Sequence, residues 1–203
     1  MTMMRLVVAI CGKKGSGKDV IAKHLEARHG FAHVKVAGPL KECVRSLFGI
    51  STEQIEDPVL KETIDPRYGA SPRRLMQFMG TEVMRDLFAR SFPVVGAEFW
   101  THALVRQIGR TGRDRIVVSD MRFVNEFAAL TREADTLVHV IRVNRARERT
   151  STSVVEDSHV SETEFETIPA DHVVDNDADI DSLLRRVDDV IEVVLERCRN
   201  IST

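Results

Sequence analysis

The strand, loop and helix pattern near the N-terminus constrains the fold of this chain more than any other feature. Residues Arg5–Cys11 form a continuous apolar run rich in β-branched side chains, which is typical of a strand buried on both faces. The sequence GKKGSGKD follows at Gly12–Asp19, and a helical pattern over Asp19–Arg28 ends before Gly30. A buried strand, a glycine-rich turn and a helix in this order predict a phosphate-binding loop at the start of the helix.

The loop matches the pattern G-x-x-x-x-G-K-[ST] at seven of its eight positions and departs from it at Asp19. Its glycines allow backbone N–H groups to point at phosphate oxygens, and Lys18 is predicted to reach the β- and γ-phosphates of a nucleoside triphosphate. The Asp19 carboxylate can hold Mg²⁺ directly or through a water, or simply favour the helix N-terminus through the dipole. The predicted phosphate-binding residues are Gly12, Lys13, Lys14, Gly15, Ser16, Gly17, Lys18 and Asp19.

Strand and helix patterns alternate along the rest of the chain. Further strands are predicted at His33–Ala37, Arg115–Ser119, Thr136–Val143 and His172–Val174. Further helices are predicted at Pro39–Phe48, Ser71–Phe88, Glu98–Ile108, Phe123–Arg132 and, from an apolar stripe of helical period, Ile180–Leu195. Residues Ser51–Ala70 are predicted to be mostly loop, and Arg145–Thr167 an exposed flap. The alternation predicts an α/β fold with an open, mostly parallel sheet flanked by helices.

Composition narrows the classes of function. The 203 residues fit one domain with a small inserted lid. Lys and Arg number 29 and Asp and Glu 31, so the formal charge of -2 excludes a generic polybasic binder of nucleic acid or membrane. No apolar run approaches the ~20 residues of a membrane span, and the apolar start is too short for a signal peptide. The cysteines, Cys11, Cys43 and Cys198, form no C-x-x-C pair, which indicates a reducing cytoplasm rather than disulfides or a zinc site.

A second acidic position follows a predicted buried strand. Ser119 and Asp120 come directly after the apolar run Arg115–Val118. Ligands of open α/β sheets bind outside the carboxyl ends of the strands, so Asp120 is expected near the phosphate loop. There it can hold Mg²⁺ or its waters, bind an acceptor sugar or an arginine, or simply end the strand in a turn.

The segment SPRRLMQFMGTE, residues 71–82, carries the other dense group of polar side chains. Arg73 and Arg74 stand in the first turn of a predicted helix, where positive charge opposes the helix dipole. Two arginines can grip a phosphate in bidentate fashion, whereas a solvated surface is the alternative for either arginine alone. Gln77 lies one helical turn further on, where its amide can read the edge of a base.

Taken together, these blocks resemble the bacteriophage deoxynucleoside monophosphate kinases, relatives of the adenylate and guanylate kinases. The resemblance rests on the order of seven blocks, GKKGSGKD (12–19), AGPLK (37–41), SPRRLMQFMGTE (71–82), Phe99-Trp100, SDMRFVNE (119–126), HVSE (159–162) and VDND (174–177). An Asp at the end of the loop is itself part of that family's pattern. The resemblance implies transfer of the γ-phosphoryl group of ATP to a deoxynucleoside monophosphate (dNMP), with Mg²⁺, giving the diphosphate (dNDP) and ADP.

The resemblance also implies roles for individual residues. The implied catalytic residues are Lys18, Asp120 and Arg142, and the implied Mg²⁺ ligands are Asp19 and Asp120. The implied acceptor-binding residues are Lys41, Arg73, Arg74, Gln77, Trp100, Asp120, Arg122 and Glu126. The implied lid residues are Arg142, Arg145 and Arg149. A place in the core is the alternative for Trp100, and a solvated charge run is the alternative for Arg145 and Arg149.

The expected organisation is one P-loop kinase domain over residues 1–203. It comprises a core of about 1–50 and 112–203, an acceptor-binding region of about 51–111 and a lid of about 144–168. Small nucleotides are the expected partners, with no nucleic-acid polymer and no membrane, and a homodimer is suggested by the resemblance alone. The expected location is the cytoplasm, that of the host if a phage encodes the protein.

Two other functions remain open at this point. A kinase of another small phosphorylated acceptor, such as phosphomevalonate, can carry the same S-G-K-D loop, but its acceptor has no base for Gln77 and Trp100 to contact. A dephospho-coenzyme A kinase would leave the segment 71–82 unexplained. A nucleotide-binding sensor would bind ATP and transfer nothing. The two arginines of that segment favour an enzyme, because a sensor needs no second phosphate site.

Overall fold

Five parallel strands form one sheet in this computed structural model, which describes residues 4–93, 95, 98–145 and 164–201. The strands are β1 (Arg5–Cys11), β2 (Ala32–Val34), β3 (Arg115–Val118), β4 (Thr136–Asn144) and β5 (His172–Asp175). Their order across the sheet is β2-β3-β1-β4-β5, and every pair of neighbours is parallel. The predicted α/β fold with a parallel sheet is therefore confirmed.

The first strand is the centre of this sheet. In β1, Val8 lies opposite Val117 of β3 and His139 of β4. Residues Leu6–Cys11 are all buried. A strand with neighbours on both edges and helices on both faces needs apolar side chains in both directions, which explains the unbroken apolar run in the sequence.

Helices occupy most of the remaining chain. They are α1 (Lys18–His29), α2 (Gly38–Phe48), α3 (Thr52–Glu56), α4 (Pro72–Gln77), α5 (Phe88–Ser91), α6 (Phe99–Thr111), α7 (Val124–Arg132) and α8 (Ile180–Ile201). A π-helical segment, Phe78–Leu87, joins α4 to α5, and a 3₁₀ turn covers Glu164–Thr167. None of the helices in the described ranges combines the length and the apolar composition that crossing a membrane requires.

The chain divides into two compact units, one of residues 1–35 and 104–203 and the other of residues 36–103. The first unit contains the whole sheet. Its core joins Ile21 and Leu25 of α1 and Val187 and Ile191 of α8 to the strands. The apolar stripe predicted at Ile180–Leu195 therefore forms the closing helix that packs on the sheet.

The second unit is helical and has a core of its own. Its buried apolar residues, from α2, the loop after it, α3, α4 and the π-helical segment, are Val44, Ile50, Ile55, Leu75, Met76 and Met79. It overlaps the predicted acceptor-binding region, about 51–111, over residues 51–103. The predicted lid, about 144–168, lies largely outside the described residues, as do Arg149 and the block HVSE at 159–162.

The structure bears out in outline the mostly loop segment predicted over residues 51–70 and the helix predicted over Ser71–Phe88, and it adds detail to both. Residues 51–70 contain the short helix α3, where the Ser51 hydroxyl accepts the Gln54 N–H and the Gln54 amide oxygen accepts the Ser51 N–H. This reciprocal capping stabilises a turn too short to show a period. The helix predicted over Ser71–Phe88 is α-helical only to Gln77 and then widens into the π-helical segment.

The burial of α8 leads to a stability prediction with a matched control on the same helix. Ile191 is fully buried in the core, whereas Ile180 is 60% exposed. Ile191→Ala should lower the free energy of unfolding by about 2–5 kcal/mol, because it removes buried methyl groups and leaves a cavity. Ile180→Ala should change it by less than about 0.5 kcal/mol. Urea denaturation of both variants measures the difference, and equal losses would contradict the described packing.

Candidate active site

The loop between β1 and α1 depends on glycine at two points where the chain passes very close to other residues. Gly12 has a φ of 145°, and a Cβ there would lie 2.5 Å from the carbonyl oxygen of Val143 in β4. Gly17 has a φ of 107°, and a Cβ there would lie 2.8 Å from the amide nitrogen of Asn176. Side chains other than glycine are excluded at both points by the backbone conformation and by the lack of space.

Asn176 holds the loop from outside. Its amide nitrogen donates to the carbonyl oxygen of Ser16 at 2.9 Å, across 160 residues of sequence. The hydroxyl of Ser16 is buried and has no hydrogen-bond partner in the described part of the chain. The sequence analysis did not single out Asn176, although it lies in the VDND block that follows the last strand.

Lys18 begins α1 and lies folded over the loop. Its ammonium donates to the carbonyl oxygens of Gly12 and Lys13, each at 2.7 Å. The positive charge is thus held at the centre of the turn, at the N-terminus of α1, where the helix dipole already favours an anion. Phosphate oxygens of a nucleotide would compete with these two carbonyls for the ammonium.

Asp19 belongs to a chain of polar contacts at the carboxyl ends of the strands. Its carboxylate lies 3.0 Å from the ammonium of Lys35 and accepts a hydrogen bond from the hydroxyl of Ser119 at 3.2 Å. The Ser119 hydroxyl also lies 2.7 Å from Nε2 of His33. Because Ser119 gives its one proton to Asp19, Nε2 of His33 is the donor in that contact.

The charge states of Asp19 and His33 are set by the groups around them. Partial desolvation acts to raise the pKa of Asp19, but Lys35 and the Ser119 hydroxyl together lower it by more. The pKa of Asp19 therefore lies below its ordinary value. Burial and the charge of Lys35 lower the pKa of His33, which is therefore neutral near pH 7. Lys35 and His33 were not among the predicted site residues, because only the pairing of β2 with β3 brings them to Ser119.

Asp120, Arg122 and Glu126 follow β3 along the chain. Asp120 is half-buried and stands directly after Ser119. Glu126 is buried, and its carboxylate accepts the backbone N–H groups of Arg122 at 2.8 Å and Phe123 at 3.0 Å. The Glu126 carboxylate therefore caps the N-terminus of α7, and the residue fixes the turn that carries Asp120 and Arg122.

Two of the predicted lid arginines lie at the end of β4. The guanidinium of Arg142 donates to the carbonyl oxygens of Glu166 and Ile168, and that of Arg145 donates to the carbonyl oxygen of Gly15 at 3.2 Å. Both side chains line a cavity of about 730 Å³ beside the loop. The polar residues around this cavity include Lys13, Asn144, Glu166, Asp175 and Asp177.

The predicted acceptor-binding cations of the second unit are all paired with glutamates. Arg73 pairs with Glu62, Arg74 with Glu82, and Lys41 with Glu56. Arg73 is only partly exposed, and Arg74 and Gln77 are exposed on α4. The carboxylates neutralise cations that a phosphate would otherwise attract.

Trp100 is enclosed within the second unit. The side chain is almost fully buried, and the indole N–H donates to the carbonyl oxygen of Gly80 at 2.9 Å. This carbonyl lies in the π-helical segment. Trp100 is thus packed inside the second unit, and its acceptor-binding role stays a prediction.

Solved structures with the same architecture define the class of fold. The dephospho-CoA kinase from Campylobacter jejuni superposes with a TM-score of 0.50 at 14% identity, over 93% of this chain and 96% of that chain. A gluconokinase from Sinorhizobium meliloti superposes with a TM-score of 0.50 at 13% identity, over the full length of both chains. At such low identity these likenesses show the fold alone, and that fold is the predicted P-loop kinase fold.

Sequence comparisons then show the family. The model of the family described as deoxynucleotide monophosphate kinase matches residues 48–187, more than half of the chain. A protein of Acanthamoeba polyphaga mimivirus, assigned as a deoxynucleotide monophosphate kinase, is 31% identical over 175 residues, 83% of this chain and 86% of that protein. The deoxynucleotide monophosphate kinase of Escherichia phage RB69 is 29% identical over 121 residues, 60% of this chain and 45% of that protein.

The chain belongs to the deoxynucleotide monophosphate kinase family, as the ordered sequence blocks indicated. The match to the family model begins at residue 48 and therefore does not rest on the phosphate loop at residues 12–19. The loop geometry and the family match are two separate lines of evidence, and together they support a nucleotide kinase.

The contact between Lys35 and Asp19 leads to a prediction about charge. Lys35→Met should raise the pKa of Asp19, because the desolvation of the carboxylate remains while the ammonium at 3.0 Å is removed. Titration of the Asp19 carboxyl carbon by NMR, assigned with Asp19→Asn, measures the change. Arg132→Met removes an exposed charge from the end of α7 and should leave the pKa of Asp19 unchanged. An unchanged pKa in Lys35→Met would show that the ion pair does not control Asp19.

Proposed function

We propose that this protein transfers the γ-phosphoryl group of ATP to a deoxynucleoside monophosphate, giving the deoxynucleoside diphosphate and ADP. The observation that carries the proposal is the phosphate loop, with Lys18 folded onto its carbonyls and a large cavity beside it. Membership of the family supports the choice of acceptor. The reaction uses small nucleotides, so we place it in the cytoplasm, and in the host cytoplasm if a virus encodes the protein.

The loop and the neighbouring cavity fit ATP in size and chemistry. The positive φ angles of Gly12, Gly15 and Gly17 turn the backbone into a concave arrangement that suits a chain of phosphates. Lys18 would exchange the carbonyls of Gly12 and Lys13 for phosphate oxygens. The cavity begins at Lys13, has a volume of about 730 Å³ and offers both polar and apolar walls for a nucleoside.

The donors beside the loop fit Mg²⁺. Asp19 and Asp120 supply carboxylate oxygens, the hard ligands that this ion prefers, and they would hold it directly or through water. Asp19 already has a cation, Lys35, as its partner, which shows that its carboxylate is ionised and directed at positive charge. When bound, Mg²⁺ neutralises negative charge on the β- and γ-phosphates.

The residues of the chain need only position and neutralise the reacting groups. An oxygen of the acceptor phosphate attacks the γ-phosphorus, the bond from that phosphorus to the β-phosphate oxygen breaks, and ADP leaves with the electron pair. The acceptor phosphate already carries a nucleophilic oxygen, so no strong general base is required. Lys18, Arg142 and Arg145 would surround the transferred group with positive charge.

For the acceptor we propose Arg73 and Arg74, with Lys41 and Gln77 as further contacts and Asp120 and Arg122 from the turn after β3. Phosphate would replace Glu62 and Glu82 as the partner of the two arginines, a gain in charge and in bidentate geometry. Trp100 and Glu126, also predicted as acceptor contacts, enter this proposal as supports of the site, because the Trp100 indole donates to Gly80 and one Glu126 carboxylate oxygen accepts backbone N–H groups at the N-terminus of α7.

Removal of the loop lysine tests the proposed transfer. Lys18→Ala should lower kcat roughly 10²–10³-fold, because no other charge replaces the ammonium that stabilises the transferring phosphoryl group. Lys23→Ala, on the exposed face of the same helix, should keep normal turnover. The measurement is ADP release from ATP and Mg²⁺ with each dNMP, coupled to NADH oxidation. Near-normal kcat in a folded Lys18→Ala variant would refute the assignment.

The acceptor is tested by a second substitution. Arg74→Ala should raise KM for the dNMP roughly tenfold or more, because one charged hydrogen-bonding partner of the acceptor is lost. The KM for ATP should stay unchanged. The control is Arg45→Ala, which breaks a comparable exposed ion pair, with Glu42, in the same unit. An equal rise in KM for both variants, or a rise for ATP instead, would exclude Arg74 from the acceptor site.

The same assay distinguishes the other functions that the sequence left open. Ribonucleoside monophosphates, phosphomevalonate and dephospho-coenzyme A are offered in separate reactions. ADP release with phosphomevalonate and with no dNMP would favour the small-acceptor kinase. ATP binding without transfer to any of these acceptors would favour the sensor.

A further inference from the structure

A second group of chemically active side chains lies between the C-terminal half of α1 and α8, outside the phosphate loop. His24 and His29 of α1 each place Nε2 at 2.7 Å from the same carboxylate oxygen, Oδ1 of Asp188 in α8. The two imidazole rings are nearly edge to face, with centroids 5.9 Å apart. Along the axis of α1, which begins at Lys18, His24 lies about 9 Å and His29 about 16 Å from Lys18.

The three donor atoms form a ligand set for a transition metal. They lie within 4.8 Å of one another, and no other group of this kind occurs among the described residues. Two imidazole nitrogens and one carboxylate oxygen are typical ligands of Zn²⁺ and of neighbouring ions such as Co²⁺ and Ni²⁺. The side chains of His24, His29 and Asp188 are 16%, 12% and 17% exposed, so packing fixes them while water still reaches the site.

The geometry needs only a small adjustment to accept an ion. Ligands about 2.0–2.1 Å from a tetrahedral zinc are about 3.3 Å from one another, so each 2.7 Å contact would open by roughly 0.6 Å. Arg28 lies with Nε 3.3 Å from Oδ2 of Asp188, which orients the carboxylate and leaves Oδ1 to the two histidines. Burial acts to raise the pKa of Asp188, but the two histidines and Arg28 together lower it by more. The pKa of Asp188 therefore lies below its ordinary value, and the carboxylate is ionised.

We propose that His24, His29 and Asp188 form a binding site for one transition-metal ion of the zinc class, completed by water. On coordination each imidazole gives its Nε2 lone pair to the metal and carries its proton on Nδ1 instead, with no net release of protons from neutral rings. The ion replaces two hydrogen bonds by three metal–ligand bonds and joins α1 to α8. This proposal does not depend on the identity of the acceptor or on turnover.

The test is a titration of the full chain, freed of metal by chelation, with Zn²⁺. Calorimetry should give one tight site. A long-range ¹H–¹⁵N spectrum of the seven histidines should show two rings changing from the Nε2–H to the Nδ1–H form. Saturation should raise Tm by roughly 5–10 °C, because the ion binds the folded state preferentially. Mg²⁺ at the same concentration should produce neither change, since it prefers oxygen ligands.

Variants locate the ion. His24→Gln and Asp188→Asn should each weaken Zn²⁺ binding at least tenfold. His172→Gln is the matched control, because His139 and His172 form another close histidine pair, with ring centroids 4.9 Å apart, and this variant should bind Zn²⁺ normally. Loss of binding in His172→Gln instead would overturn the proposal, as would unchanged binding in the first two variants.

The spectrum of the unmodified protein decides the matter even if a variant fails to fold. If Zn²⁺ changes the tautomer of no pair of rings, the three residues form a hydrogen-bonded contact between helices and nothing more. That outcome leaves the proposed kinase function untouched, since it concerns residues far from the loop. Conversely, failure of the dNMP assay would not affect the metal site.

Discussion

The passage of the Gly12 backbone past the carbonyl of Val143 is the constraint on which the rest of the structure depends. It brings the end of β1 against the end of β4, so the loop turns at the one edge of the sheet where all parallel strands finish. From that point α1 starts with Lys18 and Asp19 already at the ends of β2 and β3. The loop and the polar contacts through Ser119 therefore meet at the same edge of the sheet.

Much of this architecture could be predicted from the sequence, because its signals are local. The apolar run at Arg5–Cys11, the glycine spacing and the stripe on α8 each depend on neighbours in the chain. The alternation of strands and helices was enough for a parallel sheet. The end of α4 at Gln77 could not be predicted in this way, because the π-helical segment that follows packs Gly80 on Leu40, a contact of the tertiary structure.

The candidate site was predicted only in part, because only some of its residues are neighbours in the sequence. Lys18 and Asp19 stand out because their motif is contiguous. Lys35, His33 and Asn176 reach the site only through the pairing of β2 with β3 and the position of the chain after β5. The pairing of Arg73 and Arg74 with glutamates could not be foreseen either, since Glu62 lies in a segment without a regular pattern. Residues that come together only through the fold have no fixed spacing in the sequence, so no motif predicts them.

The bond from Asn176 to Ser16 also has a consequence for the order in which the protein can mature. The loop lies near the start of the chain, yet it is held by Val143 and Asn176, and the latter is 160 residues away. During synthesis from the N-terminus, β1 leaves the ribosome long before the strands that flank and close its loop. A nascent chain that ends before residue 176 lacks the hydrogen bond from Asn176, so the loop gains its full set of contacts only after the last strand of the sheet has been made.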